Sequence, residues 1–219
     1  MAHTVELIPL AGIVMNGRTV RLGDTKADVE RTLGRPLGAS ENSARPLGDA
    51  PRLNGAERQA MELLGGPDGP VAVLDGQAEA LEEPDPLPPG PRWFYFHNEL
   101  RLDFDSQGRV EFIELLGGPE GELQPSIGGL EVFQAEPETV YDLLKAKNSG
   151  PIDIGVNCYS CTFLNLETGI YRERVPEDVT EMMGEARAEG RPLSAGEIDC
   201  ETLKTRWAAI GIGTKGYYT

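Results

Sequence analysis

The residues best placed to do chemistry lie mostly in the second half of the chain. Gly211-Ile-Gly-Thr-Lys-Gly216 matches the dinucleotide-binding fingerprint letter for letter. Such a loop works by presenting the N-terminus of a following helix to a pyrophosphate. Here only Tyr217, Tyr218 and Thr219 follow, so a turn or C-terminal hairpin is expected and no cofactor is assigned. Cys158-Tyr-Ser-Cys161 has redox or metal spacing. Redox pairs of this kind sit at a helix N-terminus, which lowers the thiol pKa. The flanking Asn157 and Thr162-Phe163 read instead as a turn entering a strand. Two cysteines three apart in one extended strand would face opposite sides of it. A zinc site would need a further ligand beyond Cys200, and the chain has only His3 and His97 to offer. Structural cysteines and no metal are therefore expected. His97 stands at a turn beside Asn98 and Glu99, where a nucleophilic catalyst would have to recruit it. No Gly-x-Ser-x-Gly elbow is present, and a solvated turn histidine is the simpler reading. Asp103, Asp105 and Glu111 form an acidic group. Paired carboxylates can perform acid–base work, but this group also suits a solvated face or a contact surface for a basic partner.

His97, Asp103, Asp105 and Glu111 all lie in one stretch, residues 92–116. It reads as three strands, Trp93 to Phe96, Leu100 to Asp105 and Arg109 to Leu115. His97-Asn98-Glu99 and Ser106-Gln107-Gly108 supply the turns. In the middle strand Leu100, Leu102 and Phe104 point one way and Arg101, Asp103 and Asp105 the other. The outer strands are apolar on both faces, so something must cover part of the second face.

Upstream, Asn16-Gly17 is a strong hairpin signal between Ile13-Val14 and Val20. Residues 23–36 spell a short helix, with Thr25 and Asp28 as a capping box and Gly34 and Pro36 as its stop. Residues 37–91 carry no Phe, Trp or Tyr and are punctuated by Gly and Pro. They read as a long surface insertion, partly disordered, in which Ala56 to Leu64 suits a helix and Val71 to Leu74 a strand; an ordered flap over the sheet is the alternative. Downstream, Gly129 to Phe133 is strand-like and Pro137 to Lys147 a helix. Strands follow over Ile152 to Val156, Tyr159 to Leu164 and Gly169 to Val175. Helices over Pro176 to Ala188 and from Ser194 to about Lys204, then a strand from Arg206 to Ile212, close the chain. The order strand, helix, three-strand meander thus occurs twice, which suggests two like halves that cover each other's sheets.

Acidic residues outnumber basic ones by 36 to 20, a net charge of −16, divided equally on either side of residue 118. Such a surface repels a phosphate backbone, so direct nucleic-acid binding is disfavoured. It suits a basic protein partner, or simply solubility. The N-terminal residues lack the pattern of a signal peptide, no run approaches a membrane span, and three cysteines make no disulfide framework. A reducing cytoplasm is the expected location.

The pattern Gly23-x-Thr25, helix, Leu33-Gly-x-Pro36, aromatic strand 93–96, Leu100-x-x-x-Phe104-Asp105, Gly108-Arg-Val110 resembles a known unit. It is similar to the helix-plus-meander units of the small outer-membrane lipoproteins of the β-barrel assembly machinery. The secreted β-lactamase inhibitor proteins carry two such units in tandem. It also looks like cytoplasmic bacterial proteins, some of which are immunity proteins against polymorphic toxins. The likeness covers residues 12–36 and 92–116 and extends to the second half in element order only. The chain departs from the secreted groups in lacking a lipobox or export signal. No catalytic motif travels with the resemblance, so it implies architecture and a binding role.

The expectation is an α+β protein of two similar halves, 1–118 (with the insertion 37–91) and 119–219, the second ending in a helical appendage and a strand. It is expected to be a non-enzymatic, cofactor-free inhibitor that occludes a basic protein partner, with Trp93, Tyr95, Asp103, Asp105 and Glu111 as the contact surface. A scaffold, or a thiol or metal protein using Cys158 and Cys161, is the alternative.

Overall fold

The structure, a computed structural model, describes residues 3–34, 92–155 and 158–218. The insertion and the elements expected in it at 56–64 and 71–74 lie outside these residues. The fold is α+β, with four α-helices and two sheets among the described residues.

The chain opens with β1 (His3–Ile8), β2 (Gly12–Met15) and β3 (Arg18–Arg21), an antiparallel meander. Asn16 and Gly17 turn β2 into β3 with φ of 51° and 73°. Two consecutive positive φ values are what a two-residue hairpin needs to match strand twist, and Asn-Gly supplies them at least cost. Helix α1 (Lys26–Leu33) follows with both signals in place. Thr25 and Asp28 exchange capping hydrogen bonds, and Gly34 ends the helix in the left-handed region. Val29 is its fully buried residue.

β4 (Arg92–Tyr95), β5 (Leu100–Phe104) and β6 (Val110–Leu116) form the expected meander. Phe96, His97 and Asn98 all take positive φ in its first turn. In the second, the Asp105 carboxylate accepts from the Gln107 and Arg109 amides. A 3₁₀ turn (Gly118–Glu120) leads into β7 (Leu123–Ile127), with β8 (Leu130–Glu131) beside it. β7 pairs parallel to β1, giving a five-stranded sheet in the order β3-β2-β1-β7-β8.

Helix α2 (Pro137–Asn148) precedes a second meander of β9 (Ile152–Ile154), β10 (Ser160–Phe163) and β11 (Thr168–Tyr171). Helices α3 (Pro176–Ala188) and α4 (Ala195–Leu203) come next, α4 opened by a Ser194–Glu197 capping box. Last comes β12 (Ala209–Gly213). It inserts between β6 and β11, antiparallel to both, and completes a seven-stranded sheet, β4-β5-β6-β12-β11-β10-β9. The two meanders therefore lie edge to edge in one sheet through the C-terminal strand, and do not cover each other face to face. Pairing also crosses residue 118 in both sheets, β1 with β7 and β6 with β12.

Leu7, Ile13, Leu100, Leu102, Ile113, Leu123, Phe133, Leu144, Phe163 and Ile212, from both sheets, α2 and the segment before it, share one buried core. The Glu99 carboxylate, at the β4–β5 turn, accepts from the amides of Glu122 and Leu123 at 2.8 and 2.6 Å, so the start of β7 is tied to the larger sheet.

Gly12 has φ of 149°, and a Cβ there would lie 2.1 Å from the Val20 carbonyl oxygen. Gly17, at φ 73°, faces open space. Gly12→Ala is expected to cost about 4 kcal/mol or more, the range of severe backbone clashes. Gly17→Ala is expected to cost about 1 kcal/mol, the strain of a left-handed Ala alone. Urea midpoints of the two variants check the contrast.

Candidate functional site

The outer face of the seven-stranded sheet, turned away from the core, carries a connected cluster of ion pairs. Strand alternation places Arg92 on β4, Arg101 and Asp103 on β5, and Phe112 and Glu114 on β6 there together. Asp103 is buried and receives both guanidinium groups: Arg92 Nε at 2.8 Å and Arg101 Nε at 3.0 Å. Arg101 also donates from Nη1 to Glu114 at 2.8 Å. Burial pushes the Asp103 carboxyl up, but the hydrogen bonds from Arg101 and Arg92 outweigh it and hold the group below the usual range. Glu114 goes the other way, raised by burial that Arg101 only partly offsets. Glu111 is also raised, by burial and then by Asp105 and Asp103, and its Oε1 is buried without a hydrogen-bond partner.

Two C-terminal tyrosines roof this cluster. Tyr217 stacks on Phe112 with ring centroids 4.5 Å apart and planes 2° from parallel, and Tyr218 meets both rings edge-on. The glycines beneath are spaces for rings: a Cβ on Gly211 would sit 2.4 Å from Phe112, one on Gly213 2.6 Å from Tyr217, and one on Gly169 2.6 Å from the Tyr218 hydroxyl. This is the cover that the second apolar face of the meander required. The same geometry disposes of the dinucleotide fingerprint. Gly211 and Gly213 are strand residues, and the Gly216 amide donates to the Glu167 carboxylate at 2.6 Å, as does the Tyr218 amide at 3.2 Å. An internal carboxylate holds the amides that a phosphate would need.

The five residues expected to form a contact surface do not share one. Tyr95 is 1% exposed, on the core face, and Asp103 is 2% exposed among its arginines. Neither side chain is presented to a partner in this fold, because β4–β5 alternation turns Tyr95 inward and the arginines enclose Asp103. Trp93 is half-buried under the Lys26 ammonium, 4.2 Å from its ring. Asp105 holds its own turn, and Glu111 is half-buried beside it. His97 is an exposed turn residue whose Nδ1 lies 3.4 Å from Glu122.

The cysteine spacing produces a different arrangement from the one expected. Cys158 sits outside β10 with φ of 60°, and that left-handed residue breaks the strand alternation. Cys158 and Cys161 consequently line the same cavity, with Arg172 and Trp207. Both are free thiols. Burial, and then Cys158, push the Cys161 thiol up, with Arg172 opposing. That direction disfavours the thiolate a nucleophile or metal ligand needs. Among the described residues no three His, Cys, Asp or Glu gather as a metal site.

An open groove of about 500 Å³ lies at the other end of the sheet's outer face, beside α4. Leu116, Ala209 and Pro119 form its apolar floor and wall, while Tyr171, 47% exposed, and Leu203, 43% exposed, project into it. Its cations are engaged, Lys204 with Glu201 at 2.7 Å and Arg206 with Glu136 at 2.9 Å. Glu120 and Glu173 on the rim make no ion pair among the described residues, so the rim is acidic in effect. Nothing in the sequence marked this groove, which joins residues more than eighty positions apart. No family model, no curated protein and no solved structure matches the chain. No helix among the described residues is long and apolar enough to cross a membrane.

Asp103→Asn is expected to cost about 3 kcal/mol at pH 7, because it takes the buried carboxylate from two half-buried guanidinium groups, leaving Arg92 unpaired and Arg101 with Glu114 alone. The folded-state pKa of Asp103 is depressed, so its contribution is fully present above the unfolded value of about 3.9. It fades as pH falls through the lower folded value, and the cost of the substitution shrinks below about pH 4. Urea denaturation at pH 7 and at decreasing pH measures this. Glu111→Gln is expected to act oppositely, stabilising by a few tenths of a kcal/mol at pH 7. Its carboxyl is raised on folding, so the gain vanishes below the unfolded pKa of about 4.3.

Proposed function

We propose that this chain is a protein-binding module, an inhibitor of the immunity type that occludes a basic protein partner and performs no chemistry of its own. The observation that carries this reading is the groove beside α4. It combines two large exposed apolar side chains, Tyr171 and Leu203, with an acidic rim, in a molecule of net charge −16. Buried aromatic and aliphatic anchors supply most of the energy of protein interfaces, and complementary charge supplies steering and register. A partner presenting an apolar side chain ringed by Lys or Arg fits both features. The reading moves the contact surface from the meander residues to the other end of the same sheet, with Asp105 and Glu111 left to long-range attraction. The resemblance to inhibitor and immunity proteins supports the same class of function.

The test is capture from the native cell extract at low and at high salt, with the wild-type chain and with Leu203→Glu. One stoichiometric basic partner is expected, weakened at high salt and lost from Leu203→Glu. The absence of a specific partner, or a complex indifferent to Leu203→Glu, would overturn the proposal.

A further inference from the structure

A second cavity, of about 220 Å³, lies where the N-terminus of α2 meets the β9–β11 meander. Its walls are apolar and aromatic: Tyr141 from α2, Ile154 from β9, and Trp207, whose Nε1 donates to the Pro137 carbonyl at 2.9 Å. One charged group is built into it. Arg172 is only 8% exposed, its guanidinium carbon lies 5.0 Å from the Trp207 ring centroid, and its Nε donates to the Cys158 carbonyl at 3.1 Å. Among the described residues its two terminal nitrogens have no hydrogen bond and Arg172 makes no ion pair; neither nitrogen is sealed off, so both are open to a ligand entering the cavity. Asp178, close enough to feel its charge, is engaged by the Tyr159 hydroxyl at 2.7 Å and the Val175 amide at 2.8 Å. Glu138 lines the cavity from the solvent side without pairing with Arg172.

A guanidinium enclosed by protein on most sides, with its terminal nitrogens turned to a cavity and no counter-ion among the described residues, is left to be completed by water or by an anion in that cavity. The fixed fork of a guanidinium matches a carboxylate bidentately. The first turn of a helix favours negative charge as well. From this combination we infer that the cavity is a binding site for a small carboxylate with an apolar, aromatic body. The carboxylate meets the two free nitrogens of Arg172, and the body lies between Tyr141, Ile154 and Trp207. The cavity is smaller than the roughly 300–1,000 Å³ of drug-sized sites, which restricts the ligand to a compact acid. This inference is independent of the protein-binding groove, which lies elsewhere on the molecule.

The experiment is calorimetric titration of the full chain with phenylacetate, acetate, phenylacetamide and phenethylamine, repeated on Arg172→Gln and Glu138→Gln. Phenylacetate is expected to saturate at millimolar concentration or below. The amide, the amine and acetate are each expected to bind at least about tenfold more weakly, since the first two lose the charge match and the last the apolar body. Arg172→Gln should lose about tenfold or more, and Glu138→Gln should tighten binding by removing a repelling charge. Absence of saturation by phenylacetate, equal binding of acid and amide, or binding unchanged in Arg172→Gln would overturn the assignment. If Arg172→Gln does not fold, the four probes on the wild-type chain decide, and weaker binding of phenylacetate to Glu138→Gln would count against it.

Discussion

The insertion of β12 between β6 and β11 is the constraint on which the other features depend. Each meander is a set of local contacts joined by short turns, and among the described residues strand pairing links the two through the five residues of β12. Those residues carry Ile210 and Ile212 into the core and glycines onto the opposite face. A strand with side chains on both faces would leave no room for Phe112 and the two tyrosines. The approach to β12 is fixed as well: Arg206 reaches the carbonyl of Gln134 and the carboxylate of Glu136, and Trp207 holds the start of α2. The same few residues thus join the sheet, seat a helix, floor the groove and line the Arg172 cavity.

The outer face of the sheet is accordingly divided. At one end two arginines and their acids are neutralised internally and roofed by tyrosines, which leaves little for a partner. Such a buried charge cluster is weak evidence of stability, because desolvation offsets much of its attraction. Asp103 is its hub, since losing that carboxylate leaves Arg92 unpaired and Arg101 with Glu114 alone. At the other end no described residue roofs the sheet, and the apolar groove beside α4 is open among the described residues. On the proposed reading, this asymmetry decides where a partner docks, while the net negative charge sets how fast it arrives.

Local signals in the sequence were reliable wherever a few adjacent residues decide the outcome. Asn16-Gly17, the Thr25–Asp28 and Ser194–Glu197 boxes, and Pro137 and Pro176 at helix starts each locate an element to within a residue or two. β7 is not legible in the sequence because Leu123-Gln-Pro-Ser-Ile127 is buried throughout and shows no alternation, and Pro125 argues against a central strand. The site was less legible still. Asp103 looks like a solvated acid until Arg92 and Arg101 are placed beside it, and Tyr95 looks like an anchor until the sheet has an inside. Arg172, between Tyr171 and Glu173, has nothing local to distinguish it from a surface arginine. Its burial is created by Trp207, thirty-five positions away.

Native-state hydrogen exchange at the amides of Ile210 and Ile212 tests the role of β12 most directly. If β12 is what makes one sheet of two meanders, these amides open only with global unfolding, at the same free energy as Ile113 in β6 and Ile170 in β11. Exchange of Ile210 and Ile212 at a markedly lower free energy, with Ile113 and Ile170 still protected, would show that the meanders stand without the strand, and would contradict it.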